Sequence, residues 1–178
     1  CFMPLTIGGG INTIDDIYSV LSAGADKISL NSVALKDLSF VRKASARFGS
    51  QCIVCSIDVK NIEGEYKIFN QQEGVVDINP LDLAKQYQDN GAGEILLTSV
   101  DSDGSANGYD LELIKLFKGR LNIPVILNGG MGKPSDAVKA IENGADAVAA
   151  AYIFHFSQWT PNDVKLALSE NNIPVRSS

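Results

Sequence analysis

Cysteine is scarce in this sequence, 3 in 178 residues, histidine is scarcer at 1, and basic residues never gather into a run. Three thiols are too few to staple a disulfide scaffold. Two of them, Cys52 and Cys55, fall in the apolar run Gln51-Cys-Ile-Val-Cys-Ser-Ile-Asp58. Side chains three apart on a strand point to opposite faces, so this pair reads as buried thiols rather than a metal clip or a disulfide. One histidine and scattered carboxylates offer no ligand set, so no metal is expected and no organic cofactor is implied. The balance of 15 basic against 21 acidic residues gives a formal net charge of -6. That removes the general attraction to polyanions on which nucleic-acid and membrane-surface binding rely. No apolar stretch reaches the roughly 18 residues of a bilayer span, and the opening Cys1-Phe2-Met3-Pro4 carries no basic flank of the signal-peptide kind. A cytoplasmic protein is expected.

What the sequence does hold is 45% apolar and 20% charged residues, the make-up of one compact globular domain. Short runs rich in Ile, Val and Leu alternate with longer amphipathic segments, the pattern of parallel strands covered by helices. The runs Pro4–Gly8, Asp26–Asn31, Cys52–Asp58, Glu94–Ser99, Pro124–Asn128 and Ala147–Tyr152 predict six strands. Between them, Asn79-Pro80-Leu81-Asp82 and Thr160-Pro161-Asn162-Asp163 each place a side-chain oxygen at N-cap, Pro at N1 and a carboxylate at N3. Thr13 with Asp16 reads alike. Gly24, Gly91 and Gly144 stand where a left-handed residue would close the preceding helix. The alternating Glu65–Asn70 within Ile62–Val76 predicts a hairpin or ordered loop inserted after the third strand.

One design occurs twice. Pro4–Ser32 carries Gly9-Gly10 and then Gly24-Ala25-Asp26, while Pro124–Tyr152 carries Gly129-Gly130 and then Gly144-Ala145-Asp146, each landmark displaced by 120 positions. A duplicated half-barrel follows. The fold class expected is α/β, a (β/α)8 TIM barrel with only about six βα units in this chain. Residues 1–50 would end the first half-barrel and 51–178 form the second. Such a barrel takes about 250 residues and eight strands, and its closure removes the free edges of the sheet. Because the first residues already read as strand, loss of an N-terminal quarter is expected, ahead of strands supplied by a partner or a rearranged register.

Gly8-Gly9-Gly10 follows a strand and precedes the helix starting near Thr13, so its amides can approach an anion at that helix's positive end. Asn128-Gly129-Gly130-Met131-Gly132-Lys133 holds the equivalent place in the second unit. Either cluster alone is as consistent with a tight turn; paired by the repeat, they predict two phosphate sites. The strands that follow lead into Asn31-Ser32 and Ala151-Tyr152, whose amides would complete the cradles, and a substrate with a phosphate at each end suits that layout. Asp58 ends an apolar strand on the side where barrel active sites lie. Partial desolvation there raises a carboxylate towards the range of a general acid or base; the competing reading is a loop cap that bridges Lys60. Along Leu97–Asp110, Thr98 and Asp103 are candidate substrate contacts, or else members of a chain of Asx turns. Asp26, Lys27 and Glu94 lie at the opposite, N-terminal strand ends and read from position alone as solvated surface. His155, in Ile-Phe-His-Phe, reads as a packed residue rather than a catalyst.

Gly24-Ala-Asp-Lys-Ile-Ser-Leu-Asn31, Phe48-Gly-Ser-Gln51, Ile57-Asp-Val-Lys60, Gly91-Ala-Gly-Glu-Ile-Leu-Leu-Thr-Ser99, Asp103-Gly104 with Gly108-Tyr-Asp110, and Phe154-His-Phe156 run in order over almost the whole chain. They closely resemble the cyclase subunit of imidazole glycerol phosphate synthase. The sister isomerase of histidine biosynthesis is similar in its half-barrel repeat but fits less well at Gly91–Ser99 and Phe154–Phe156. The resemblance implies a barrel of ribulose-phosphate-binding type, with a glutaminase subunit as partner. It implies that ammonia passes up the barrel to a bisphosphorylated ribulosyl aminoimidazole carboxamide nucleotide. The products would be imidazole glycerol phosphate and an aminoimidazole carboxamide ribotide.

By the same resemblance Asp58 is one of two catalytic aspartates, a general acid/base, and the other belongs to a first strand that this sequence does not contain. Gly9, Gly10, Asn31 and Ser32 would hold one phosphate. Gly129, Gly130, Ala151 and Tyr152 would hold the other, with Thr98, Asp103, Gly104 and Asn128 lining the pocket. Lys27 and Glu94 match the charged ammonia gate at the barrel floor and Asp26 a contact to the glutaminase, which displaces the surface reading of those three. Departures are specific: Asn128 and Tyr152 each stand where the family has Ser, Ser32 stands for Thr, and Gln71–Asn79 lacks the usual Lys-x-x-Thr-Gly form. Together with the opening Cys-Phe-Met-Pro-Leu they are more similar to a paralogous branch encoded with surface-sugar genes, which supports ammonia-dependent amidination of a sugar. A reading of another class is a catalytically inactive barrel that binds phosphate or a partner.

Overall fold

The computed structural model describes residues 3–176; Cys1 and Phe2, part of the opening weighed above, lie outside them. The chain runs β1 (Thr6–Gly8), α1 (Ile14–Ser22), β2 (Lys27–Leu30), α2 (Ser32–Lys36), α3 (Leu38–Phe48), a 3-10 turn (Ser50–Cys52), β3 (Ile53–Ile62), β4 (Glu65–Asn70) and β5 (Gly74–Val76). It continues as α4 (Pro80–Asp89), β6 (Glu94–Ser99), α5 (Leu111–Phe117), β7 (Val125–Asn128), α6 (Pro134–Glu142), β8 (Ala147–Ala149), α7 (Tyr152–Phe156) and α8 (Pro161–Glu170). The six expected strands pair in parallel in the order β1-β2-β3-β6-β7-β8, and β4 and β5 form an antiparallel extension on β3. No helix among the described residues is long and apolar enough to cross a membrane.

Strand alternation divides the sheet into two unlike faces. Ile28, Leu30, Ile53, Cys55, Ile57, Val59, Ile95, Leu97, Val125 and Leu127 are buried on one face. Ile17, Val41, Leu83, Tyr87, Leu113 and Phe117 from the helices join the same cluster. Each such Ile or Leu contributes about 1.5–3 kcal/mol by leaving water, so this face holds the helices to the sheet. The other face carries Lys27, Ser29, Ser56, Asp58, Leu96, Thr98, Ile126 and Asn128, all half-exposed. Register sets them in rows: Ser56, Leu96, Ile126 and Ala147 form one, and Asp58, Thr98, Asn128 and Ala149 the next towards the C-terminal rim.

Local chemistry behaves as the sequence requires. Thr13 and Thr160 close capping boxes with Asp16 and Asp163, and Asn79 Oδ1 accepts from the Leu81 and Asp82 amides. Gly24, Gly91 and Gly144 follow the C-caps Ala23, Asn90 and Asn143 with φ of 109°, 94° and 117°. The duplication extends to whole elements, since α1 and α6 start at Ile14 and Pro134, and α2 and α7 at Ser32 and Tyr152, each displaced by 120 positions. It reaches single hydrogen bonds as well. Asp26 Oδ2 accepts from the Leu5 amide at 2.8 Å, and Asp146 Oδ2 accepts from the Val125 amide at 2.8 Å. In both units the carboxylate at the foot of one strand pins the foot of its neighbour.

Four expectations change. Cys52 belongs to the 3-10 turn rather than to a strand and is half-buried; Cys55 is buried, and burial pushes its thiol up to about 12. β3 does not stop at Asp58 but continues to Ile62, because Val59–Ile62 pair with β4. The strand expected over Ala147–Tyr152 ends at Ala149, and Tyr152 begins α7, on which His155 is exposed rather than packed.

Candidate active site

Asp58 lies on the polar face one register step below the end of the β3–β6 ladder. Its carboxylate is half-buried and accepts a hydrogen bond from Asn31 Nδ2 at 2.8 Å. Desolvation holds its pKa above the usual carboxylate range, opposed by hydrogen bonds from Asn31, Thr98 and Ser56 and reinforced by the negative charge of Asp103. Asn128 Nδ2 in turn donates to Thr98 Oγ1 at 3.2 Å. Asn31, just past β2, thus touches the row that register makes of Asp58, Thr98 and Asn128 on β3, β6 and β7. The loop-cap alternative fails on geometry: the Lys60 ammonium sits over the Phe69 ring, 5.7 Å from its centroid, and is not Asp58's partner.

The glycine clusters stand at the C-terminal ends of β1 and β7, on the same rim of a parallel sheet. Gly9, Gly10, Gly129 and Gly130 have φ of 94°, 71°, 93° and 108°, a conformation open to glycine at little cost, and their amides donate to no acceptor within the described chain. The helix-end expectation needs correction. Asp16 Oδ2 already accepts from the Asn12 and Thr13 amides, and Asp136 Oδ2 from those of Gly132 and Lys133. The starts of α1 and α6 thus each carry a carboxylate of their own, whose charge opposes a second anion there. The glycine amides and the orphan first amides of α2 and α7, at Ser32 and Tyr152, face an anion without such a carboxylate on them. Asn31 and Ala151, the caps of those short helices, make no side-chain cap bond; Asn31 spends its amide on Asp58 instead.

The two cradles differ in openness. Gly9 and Gly10 face a cleft of about 400 Å³ lined also by Asn12, Ser29, Asn31, Ser32, Ser56 and Gln72. Gly129 and Gly130 are buried under the β6–α5 loop: a Cβ at Gly129 would lie 2.7 Å from Ser99 O and one at Gly130 2.2 Å from Gly108 O. Asp103 and Gly104 sit exposed on that loop, with Asp103 beside Gly129. The loop is held by Asp101 Oδ2, which accepts from the Asn61 amide at 2.8 Å, and by Tyr109, whose hydroxyl donates to Ala149 O at 2.9 Å; it is not a chain of Asx turns. The Tyr152 ring packs on Phe156, centroids 4.9 Å apart, along its own helix.

At the opposite edge Lys27 and Glu94 form an ion pair, while Asp26 is occupied by its strand pin and exposed. Among the described residues no group of His, Cys, Asp and Glu is arranged to hold a metal. The larger cleft, about 770 Å³ between the β4–β5 hairpin and α5, contains none of the residues discussed so far as site residues. Sequence reasoning missed Ser29, Ser56, Asn70 and Gln72. Ser56 was legible, two positions before Asp58 on one strand face; Gln72 was not, because only the hairpin's return brings it to the cleft.

The chain matches the family model described as histidine biosynthesis protein over residues 1–160. It is 57% identical over 176 residues to a Campylobacter jejuni protein provisionally named imidazole glycerol phosphate synthase subunit hisF2, covering 99% of this chain and 71% of that one. It is 51% identical over 178 residues to imidazole glycerol phosphate synthase subunit HisF of Endomicrobium trichonymphae (98% and 68% covered) and 49% identical over 177 residues to that of Campylobacter concisus (98% and 70%). With the parallel βα order and the duplicated cradles, these matches establish that the chain belongs to the histidine biosynthesis protein family, in its HisF branch of TIM barrels.

Proposed function

We propose that this chain carries the reacting rim of an ammonia-dependent cyclase of the imidazole glycerol phosphate synthase type, working beside a glutaminase subunit. The observation that carries the reading is the polar row Asp58–Thr98–Asn128 with Asn31 bonded to its first member, which sets a desolvated carboxylate between the two glycine cradles. A bisphosphorylated substrate anchored at both cradles would lie across Asp58. Binding energy from the two ends is then available to hold the reacting centre in place. As a carboxylate Asp58 accepts the proton released when ammonia adds, and as a carboxylic acid it returns a proton to the leaving group on cleavage. A raised pKa brings those two tasks closer together in pH. Asn31 and Thr98 hold the carboxylate in place; Lys27 and Glu94 mark the floor at which ammonia would enter, and Asp26 the glutaminase side.

The test is turnover of the ribulosyl aminoimidazole carboxamide substrate with ammonium, read as imidazole glycerol phosphate released. Product only at the background rate from the natural full-length gene product sinks the cyclase reading and leaves a phosphate- or partner-binding barrel. A second reading, a paralogue that supplies ammonia for amidination of a surface sugar, is favoured by Tyr152 at the second cradle. Rescue of a histidine auxotroph by the intact gene would exclude it.

A further inference from the structure

The hairpin that β3 feeds returns to the first cradle, and one buried side chain makes the junction. Asn70, the last residue of β4, is 2% exposed. Its Oδ1 accepts from the Gln72 amide at 2.8 Å and from the Glu73 amide at 3.2 Å. Backbone amides only donate, so the oxygen must face them and the NH2 group must face the other way. There it donates to Ser32 Oγ at 3.3 Å. Lys36 braces the same hairpin tip from α2, its Nζ 3.1 Å from Gln72 Oε1 and 3.7 Å from a Glu73 carboxylate oxygen.

This geometry fixes the direction of the Ser32 hydroxyl. An oxygen that accepts from Asn70 still has its own proton to give, and the Ser32 hydroxyl has no other hydrogen-bond partner within the described chain. Ser32 lines the cleft of Gly9 and Gly10, so the proton is free to be given there. The bare oxygens of a phosphate are acceptors, and they are matched by a hydroxyl whose proton is turned away from Asn70. At the second cradle the equivalent position is Tyr152, which has no hydroxyl at that reach.

We infer that Asn70 is a positioning residue that sets the polarity of the Ser32 hydroxyl, making Ser32 a proton donor to a phosphate group at the Gly9–Gly10 cradle. The inference rests on that cradle being a phosphate site. Asn70→Asp tests it, because aspartate keeps an oxygen for the Gln72 and Glu73 amides but replaces the donor with an acceptor that takes the Ser32 proton. The added negative charge would repel phosphate whether or not Ser32 is present, so the substitution is compared in Ser32 and Ser32→Ala backgrounds.

The readout is a titration of the full chain with inorganic phosphate, followed at the Gly9 and Gly10 amide resonances. Ser32→Ala is expected to weaken binding about ten-fold, the size of a lost hydrogen bond to a charged group. Asn70→Asp should weaken it at least as much beside Ser32 and clearly less in the Ser32→Ala background. Equal effects in the two backgrounds would overturn the inference, as would an unchanged Kd for Ser32→Ala, which decides the matter alone if the Asn70 variant loses its dispersed spectrum. Failure of the unaltered chain to bind phosphate at these amides would overturn the cradle itself, a result distinct from either.

Discussion

Asp58 shows how far one residue could be read before its surroundings were known. Its place after an apolar run, and the resemblance of Ile57-Asp-Val-Lys60, marked it as a candidate proton-transfer group, but neither could say what touches it. The structure supplies Asn31, Thr98 and Ser56 and withdraws Lys60. Because the folded-state pKa lies above the unfolded value, the stabilising contribution of Asp58 is complete below the ordinary carboxylate range and is lost as pH rises through its raised pKa. At neutral pH its charge is a cost to the fold. Asp58→Asn is therefore expected to lower ammonium-dependent kcat by about 100-fold or more while leaving the urea midpoint unchanged or higher; a structural aspartate would give the reverse. Asn31 allows a finer test. Its N–H favours the ionised form of Asp58, so Asn31→Leu should raise the pKa further and move the acid limb of the kcat–pH profile to higher pH. A limb that stays in place would mean the hydrogen bond does not bear on the reaction.

Elements were legible wherever local chemistry decides them. Caps at Thr13, Asn79 and Thr160 and left-handed glycines at the helix ends follow from orphan amides and φ alone, and the 120-residue displacement exposed the duplication. The hairpin was legible as an insertion, but its return to Ser32 was not, since nothing in an alternating pattern says where a hairpin leans. Nor was the end of β3: the two-residue period breaks at Asn61 and Ile62, and only pairing with β4 carries the strand to Ile62. The glycine cradles give the sharpest contrast between units. A Cβ at Gly9 meets nothing within 4 Å, so Gly9→Ala should cost only the backbone strain of its positive φ, about 1–2 kcal/mol. At Gly130 a Cβ would lie 2.2 Å from the Gly108 carbonyl oxygen, so Gly130→Ala should cost about 2–4 kcal/mol and shift the β6–α5 loop. Urea denaturation of the two variants measures both.

At the scale of the whole molecule, register is what turns scattered polar residues into a site. The alternation of strands and helices announced a parallel α/β sheet, yet the sequence cannot say that Asp58, Thr98 and Asn128 fall in one row, because strand register is set by the packing of Ile57, Leu97 and Leu127 on the opposite face. That row separates two ends of different character, the Lys27–Glu94 ion pair at the floor and unfilled amides with a desolvated carboxylate at the rim. The most direct measurement is electron density for a pentose bisphosphate bound to crystals of this protein. The account expects one phosphate on the amides of Gly9, Gly10 and Ser32, the other on those of Gly129, Gly130 and Tyr152, and the carbon chain crossing Asp58. Both phosphates outside these cradles, or a ligand that does not pass Asp58, would contradict it.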